Sequence, residues 1–239
     1  MKDREIFAGL TTTLPFILRL DGRSFHSFSK NFTKPYDETF CGFFVDTARA
    51  LMEESGLSPC FAYTFSDEIS LYFATDVFDR RVEKLNSVAA GFASSAFTLF
   101  SGAKSPISFD SRVIPITKEL VPAYFSWRQA EAWRNHINGY AQKILIDSGL
   151  SASAAQKKLD GLNAAALHEL AFSRGINLAE TPAWQRRGIC LYHTEYEKEG
   201  YNPVTEEKVT VIRRTVKADY EVPLFKEEAG RAWLLEKLQ

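Results

Sequence analysis

The chain has 239 residues and a formal net charge of −1, with 45% hydrophobic, 25% charged and 13% aromatic residues. That composition belongs to an ordinary globular protein with a sizeable core, and it excludes a globally basic nucleic-acid binder, so any cationic surface must be local. The three cysteines, Cys41, Cys60 and Cys190, are scattered without metal-ligand spacing, which excludes a zinc site and points to a reducing compartment.

The start "MKDREIFAGL" has neither an apolar signal core nor an Arg/Ser-rich transit character. No apolar run approaches the ~20 residues that span a bilayer. A cytoplasmic protein without membrane contact is expected. "PFILRLD" alternates as a strand, with Phe16, Leu18 and Leu20 on one face and Ile17, Arg19 and Asp21 on the other. "DETFCGFFVDTARALMEESG" has helical spacing through Phe40, Phe44, Ala48 and Leu51, and Gly56 can stop it. "CFAYTF" and "EISLYFAT" are two strands, leaving Ser66 and Asp67, or Ser66 to Glu68, to turn between them. "RRVEKLNSVAAGFASSAFTLFSG" is a second helix and "PISFDSRVIPIT" a fourth strand.

This βαββαβ order predicts an α+β fold: a ferredoxin-like palm whose antiparallel sheet carries both helices on one face and leaves the other free for a site. "AYFSWRQAEAWRNHINGYAQKILIDSG" predicts a long helix, and "SAAQKKLDGLNAAALHELAFSRG" one or two short ones. "GICLYHTEYEKEG" and "EEKVTVIRRTVKADYEV" predict a C-terminal β-ribbon turning at "YNPVT", and "KEEAGRAWLLEKL" an amphipathic helix. The expected organisation is a catalytic palm over residues 1–120 and a helical and ribbon extension over 121–239, packed on the palm.

The acid pair inside "AYTFSDEISLYF" needs an explanation, because a buried carboxylate without a partner costs several kcal/mol. Either the run breaks there into a solvated turn, or something positive sits against the acids. In a ferredoxin-like sheet the first strand lies beside the hairpin of the second and third, so Asp21 can meet Asp67. Two carboxylates converging on a sheet face suit Mg²⁺, which takes few protein ligands and relies on water and phosphates for the rest. Two such ions support nucleotidyl transfer. Turn acids at Asp21-Gly22 and at a hairpin tip are the competing reading.

Four segments, "ILRLDGRSFHSFSKNFTKPYD", "TFSDEISLYF", "ISFDSRVIPI" and "AYFSWRQAEAWRNHIN", resemble in order and spacing the signature segments of the tRNA(His) guanylyltransferase superfamily, over about residues 10–220. These are palm-fold enzymes that add nucleotides to the 5′ end of tRNA. The resemblance implies that Asp21 and Asp67 ligate two Mg²⁺ ions with help from the Gly22 carbonyl, and that Glu68 lies beside this catalytic centre. It matches Arg19, Arg23, His26, Lys34, Asp37 and Ser66 to positions that contact nucleotides, with ATP and GTP or other nucleoside triphosphates as substrates. Arg19 and Lys34 suit that task because each brings fixed positive charge to phosphate.

The chain departs from the family twice. "HINGYAQKI" keeps His136, Ile137 and Asn138 of a motif that reads His-Ile-Asn-Asn-Leu-Tyr in eukaryotic relatives, but not the next three residues. "LHELAF" has Leu167 and His168 where relatives carry Lys-Asn, so a phosphate contact made there does not transfer. Both departures resemble the guanylyltransferase-like branch, which restores 5′-truncated tRNAs by template pairing. Repair is therefore the expected activity, with obligatory guanylation of histidine tRNA, a palm-type nucleotide cyclase and a non-catalytic RNA-binding module as alternatives.

RNA binding needs cations facing phosphate. The expected tRNA contacts are Arg128, Arg134, His136 and Asn138 on the long helix, Arg186 and Arg187 after it, and Lys208, Arg213 and Arg214 on the ribbon, which is assigned to the acceptor stem. A chain of this size needs help to hold both ends of a tRNA, so a homo-oligomer, dimer or tetramer, is expected.

Overall fold

A computed structural model describes residues 1, 4–23, 25–202 and 207–238. The elements in chain order are β1 (Phe16–Arg23), α1 (Phe25–Phe28), α2 (Glu38–Glu53), β2 (Phe61–Phe65), β3 (Glu68–Phe73), α3 (Val82–Ser101), β4 (Ser108–Pro115), α4 (Val121–Asp147), α5 (Ala152–Leu159), α6 (Ala164–Phe172), α7 (Ala183–Arg187), β5 (Ile189–Asn202), β6 (Glu207–Asp219) and α8 (Glu228–Lys237).

The strands form one antiparallel sheet in the order β4-β1-β3-β2-β5-β6, whose first four members are the expected ferredoxin-like set. The period-2 pattern of β1 decides its packing. Phe16, Leu18 and Leu20 meet Phe44, Ala48 and Leu51 of α2 and Leu85, Ala89 and Phe97 of α3. At the edge of this layer Phe25 sets its ring against those of Phe28, Phe40, Phe44, Phe97 and Phe109. Each fully buried ring there contributes about 1.5–3 kcal/mol of transfer free energy. α3 ends at Gly102, whose φ of 60° places it in the left-handed region that closes helices.

The second sheet face is not open as the topology alone suggested. Ile17, Phe61, Tyr63 and Tyr72 on that face pack against Tyr124 and Phe125 of α4, Val222, Phe225, and Leu234 of α8. An uncovered sheet face presenting Ile and aromatic side chains would leave that apolar area in water, and the C-terminal elements remove it. Arg19 and Asp21, on the same face of β1, are half-buried. The second half of α4 builds a third cluster with α5 and α6 through Ile137, Ala141, Ile144, Leu159 and Leu167.

The ribbon joins the palm sheet instead of standing apart. β5 pairs with β2 from Phe61↔Tyr192 to Thr64↔Ile189 and runs antiparallel to it, then continues beyond the sheet with β6. The turn expected at "YNPVT" falls mainly on residues 203–206, outside the described residues. All three cysteines are free. Among the described residues no helix is long and apolar enough to cross a membrane.

Candidate active site

The β2–β3 hairpin turns on two residues, Ser66 and Asp67, with Phe65 opposite Glu68. Ser66 takes a φ of 52°, a left-handed conformation that costs a non-glycine residue roughly 1 kcal/mol. The turn is held by the Thr64 hydroxyl donating to the Glu68 carbonyl at 2.8 Å and the Ser66 hydroxyl donating to Asp67 Oδ1 at 3.0 Å. β1 runs on through Asp21 to Arg23, so Asp21 sits within a strand and not at a turn. The Gly22 N–H donates to the Asp67 carbonyl at 3.0 Å, which ties the two acid-bearing segments together. A Cβ on Gly22 would lie 2.3 Å from the Phe25 ring and 3.1 Å from Asp67 Cβ, so only glycine fits this junction.

Register then sorts the charges into rows. Asp21 lies opposite Glu68 on one side and Asp110 of β4 on the other. One step back, Arg19 lies between Ser70 and Arg112. Asp110 was missed in the sequence although "ISFDSRVIPI" contains it; pairing that strand with β1 would have found it. Its carboxylate receives Arg112 Nη2 at 2.8 Å.

Like charges and partial burial set the protonation of this row. Burial pushes the Asp67 carboxyl above its ordinary value and the neighbouring Asp21 pushes it further, while the Ser66 hydroxyl opposes. Burial also raises Glu68, against the pull of Arg128 and Arg19. Among the described residues no group of three or more His, Cys, Asp and Glu side chains is arranged to cage a metal. Two crowded carboxylates with hard oxygen donors fit Mg²⁺, which keeps waters and substrate phosphates in its remaining positions.

Glu68 already has its positive partner. Arg128 Nε lies 3.0 Å from Glu68 Oε1, an ion pair in which both side chains are nearly buried and the N–H is not aligned for a hydrogen bond. The guanidinium also covers the Trp127 ring at 4.1 Å and Phe65 at 5.5 Å. The Ser70 hydroxyl donates to Glu68 at 3.3 Å and shares a 2.9 Å hydrogen bond with Tyr124. Arg128 is thus turned inward, 8% exposed, where a phosphate contact requires an outward cation.

A cavity of about 300 Å³ opens beside the hairpin tip. Lys34, Asp37, Ser66 and Asp67 line it, together with Asn135 and Gln185, which the sequence reading did not single out, and Phe25, Phe44 and Trp184 give it an aromatic wall. Partial burial lowers the Lys34 pKa, and Asp37 opposes the shift. Asp37 does local work: Oδ1 accepts from the Phe40 N–H and Oδ2 from the Thr33 N–H, both at 3.0 Å, so it caps α2 and closes the 33–37 loop. These bonds hold its carboxyl below the ordinary value. Arg19 is half-buried with its guanidinium 5.6 Å from the Trp127 ring, and Arg23 is exposed. The side chain of His26 lies outside what the structure describes.

The remaining RNA candidates scatter. His136 is fully buried against Tyr36, Trp133 and Tyr140, with Nε2 3.1 Å from the Thr181 hydroxyl, which makes it a core histidine and not a surface contact. Burial is the chief cause that pulls its pKa down to about 4. Its unfolded state binds the proton first, so stability is retained above about pH 6.5 and lost as the pH falls toward 4. About 2 kcal/mol should disappear between pH 7 and pH 5 on this account. His136→Phe should flatten that part of the curve in urea unfolding at the two pH values; an unchanged slope would rule the assignment out.

Arg134 pairs with Glu131 on the exposed face of α4, and Asn138 donates to the Arg134 carbonyl at 2.9 Å. Lys208, Arg213 and Arg214 are exposed on β6. Because β5 leaves the sheet in the direction opposite to the β2–β3 tip, the far end of the ribbon lies roughly 40 Å from the acids, at ~3.3 Å per residue. An acceptor-stem contact at that end of the same chain is not compatible with this direction. Register also separates the ribbon's charges. Glu195, Glu197 and Glu199 face one way with Arg214 and Ile212, while Tyr196, Lys198 and Arg213 share the other face with Thr194 and Thr215.

Known protein families match both halves of the chain. The tRNAHis guanylyltransferase family model matches residues 1–117, and the Thg1 C terminal domain model matches residues 119–226. A probable tRNA(His) guanylyltransferase of Drosophila melanogaster is 35% identical over 188 residues, 73% of this chain and 65% of the relative. The tRNA(His) guanylyltransferase 1 of Arabidopsis thaliana is 32% identical over 79% of this chain, and the chain spans only 36% of that relative's length. Among solved structures, a bacterial tRNA(HIS) guanylyltransferase (Thg1)-like protein in complex with ATP superposes with a TM-score of 0.77 at 26% identity, covering 100% of this chain and 96% of the other.

Proposed function

Because the chain belongs to the tRNAHis guanylyltransferase family, we propose that it is a metal-dependent nucleotidyltransferase that lengthens tRNA at its 5′ end in the 3′-to-5′ direction. Its work is template-paired repair of 5′-truncated tRNAs, not obligatory guanylation of histidine tRNA. The observation that carries the nucleotidyltransferase reading is the meeting of Asp21 and Asp67 at the hairpin tip beside a cavity holding Lys34. The likeness to a structure solved with ATP favours ATP, and by extension GTP, as substrates.

Asp21 and Asp67, with the backbone at Gly22, would hold Mg²⁺. Bound there, the ions neutralise phosphate charge and lower the pKa of an attacking hydroxyl. The chain's own groups do the rest. Lys34 draws the triphosphate into the cavity, and the half-buried Trp184 ring in its lining offers a surface to a base. Arg128 fixes Glu68, the first residue of β3, and through it the turn that carries Asp67. In the reaction sequence, the tRNA 5′-phosphate attacks the α-phosphorus of ATP and releases pyrophosphate, unless a 5′-triphosphate is already present. The 3′-hydroxyl of the incoming nucleotide then attacks the activated 5′ phosphorus; its proton goes to solvent, and AMP or pyrophosphate leaves.

The repair reading draws on α4. Gly139 abuts Pro35 and the Tyr140 ring lies 6.0 Å from that of Tyr36, so two of the three positions that differ from eukaryotic relatives support the nucleotide loop, while Ala141 packs toward α5 and α6. A helix used this way has little left to select one tRNA. The distance between ribbon end and active site favours an oligomer in which the ribbon of one copy serves RNA seated on another.

The test is extension of labelled tRNAs, intact or lacking the first 5′ nucleotide, with Mg²⁺, ATP and GTP. Truncated non-histidine tRNAs should be extended. Addition to histidine tRNA alone would overturn the repair reading, and no extension of any tRNA would remove the polymerase reading altogether.

A further inference from the structure

The ribbon points away from the acids, so the cations able to grip RNA near them must lie elsewhere. Arg186 and Arg187 close α7, immediately before β5 starts beside Thr64 at the tip end of the sheet. A second cavity of about 360 Å³ opens here, with Arg186, Arg187, Lys226 and Trp133 in its lining and no acidic side chain there. α7 is the partition between the two cavities: Trp184 and Gln185 line the first, Arg186 and Arg187 the second.

The second cavity is built, not incidental. Gln129 is buried in its lining, and its amide is fully engaged, accepting from the Phe225 N–H at 2.9 Å and donating to the Pro223 carbonyl at 3.0 Å. Arg187 Nη1 donates to the Val222 carbonyl at 3.1 Å, and Arg186 Nε to the Thr181 carbonyl at 2.8 Å. These bonds aim both guanidiniums and use one of the five donors of each. Burial chiefly, and then repulsion by the neighbouring Arg187, lower the Arg186 pKa, with Glu221 offsetting part of the repulsion. A phosphate between them relieves that repulsion.

We infer that this cavity takes one nucleotide of the bound tRNA chain, its phosphate held between Arg186, Arg187 and Lys226. The inference rests on tRNA being the substrate. A free nucleoside triphosphate offers the same chemistry of phosphate and base, so the test must separate the two sources. It uses the full-length protein, a labelled 5′-truncated tRNA and ATP.

The variant Arg186→Gln/Lys226→Glu retains a donor for the Thr181 carbonyl. It should weaken tRNA binding by about tenfold and lower the slope of log affinity against log salt by roughly 1–2. The KM for ATP should stay unchanged. Lys226 is exposed, so Lys226→Glu alone carries the test, with a proportionately smaller slope change, should the double variant melt early. Unchanged affinity and slope would overturn the inference. A raised KM for ATP with unchanged tRNA binding would overturn it in favour of a free-nucleotide site. Binding is read without extension, so a protein that binds tRNA through this cavity yet extends none counts against the proposed reaction and not against the cavity.

Discussion

Asp67→Asn should abolish 5′-end extension, a loss on the order of 10³-fold, while raising the melting temperature of the metal-free protein. The two effects share one cause. The Asp67 carboxyl is raised by burial and by Asp21, so in the folded state its ionised form is disfavoured relative to the unfolded chain. A carboxyl raised in this way lowers stability as pH climbs through the unfolded value and beyond, and at pH 7 it is a net cost. Asparagine removes the charge, and its carbonyl can still accept from Ser66. Thermal melts in EDTA should show the gain. Added Mg²⁺ should raise the melting temperature of the wild-type protein and leave that of Asp67→Asn unchanged. A variant that melts lower than wild type in EDTA, or that still responds to Mg²⁺, would sink the assignment of Asp67 as metal ligand.

Arg128→Met should cost about 3–5 kcal/mol, because it leaves the Glu68 carboxylate nearly buried without its ion-pair partner. For a chain of this length that corresponds to a fall of roughly 10 °C. The double variant Arg128→Met/Glu68→Gln should recover most of the loss, since no charge is then stranded. The pH dependence has a definite sign. Arg128 is the strongest influence holding the Glu68 pKa down against burial, so its removal raises that pKa further. The deficit of Arg128→Met should then be smaller at pH 5 than at pH 7, because a raised Glu68 pKa favours the uncharged form as pH falls. Urea unfolding at both pH values measures it; a pH-independent deficit would mean that lost packing on Trp127 and Phe65, not the stranded charge, is responsible.

The palm was legible because its signals are local. β1 alternates strictly, α2 and α3 carry apolar stripes, and the acids interrupt an otherwise apolar hairpin at its turn. The pairing of Asp21 with Asp67 followed from topology once βαββαβ was read. What stayed hidden depended on packing across long sequence separations. "YFSWRQ" reads as an amphipathic helix bearing a surface arginine, and nothing local says that Arg128 turns inward to meet a glutamate sixty residues earlier. His136 sits in a motif that suggested RNA contact, and only the rings of Tyr36 and Trp133 around it make it a core residue. The direction of the ribbon was equally unreadable, because it is fixed by which β2 residues pair with β5. α7, a short helix on "AWQRR", carries no periodicity long enough to find.

β6 is also an outer edge of the sheet, 13 residues long. Apart from Val216, whose N–H and carbonyl are taken by Glu53 and Arg49 of α2, its outer side offers backbone donors and acceptors to another extended chain and invites sheet-to-sheet growth. Lys208, Arg213, Arg214 and Lys217 stand exposed along it. Two such edges brought together antiparallel would crowd eight cations, so the strand repels its own copy while staying attractive to a polyanion. The cations along β6 therefore have a reason to exist even without RNA: they keep this outer edge in solution.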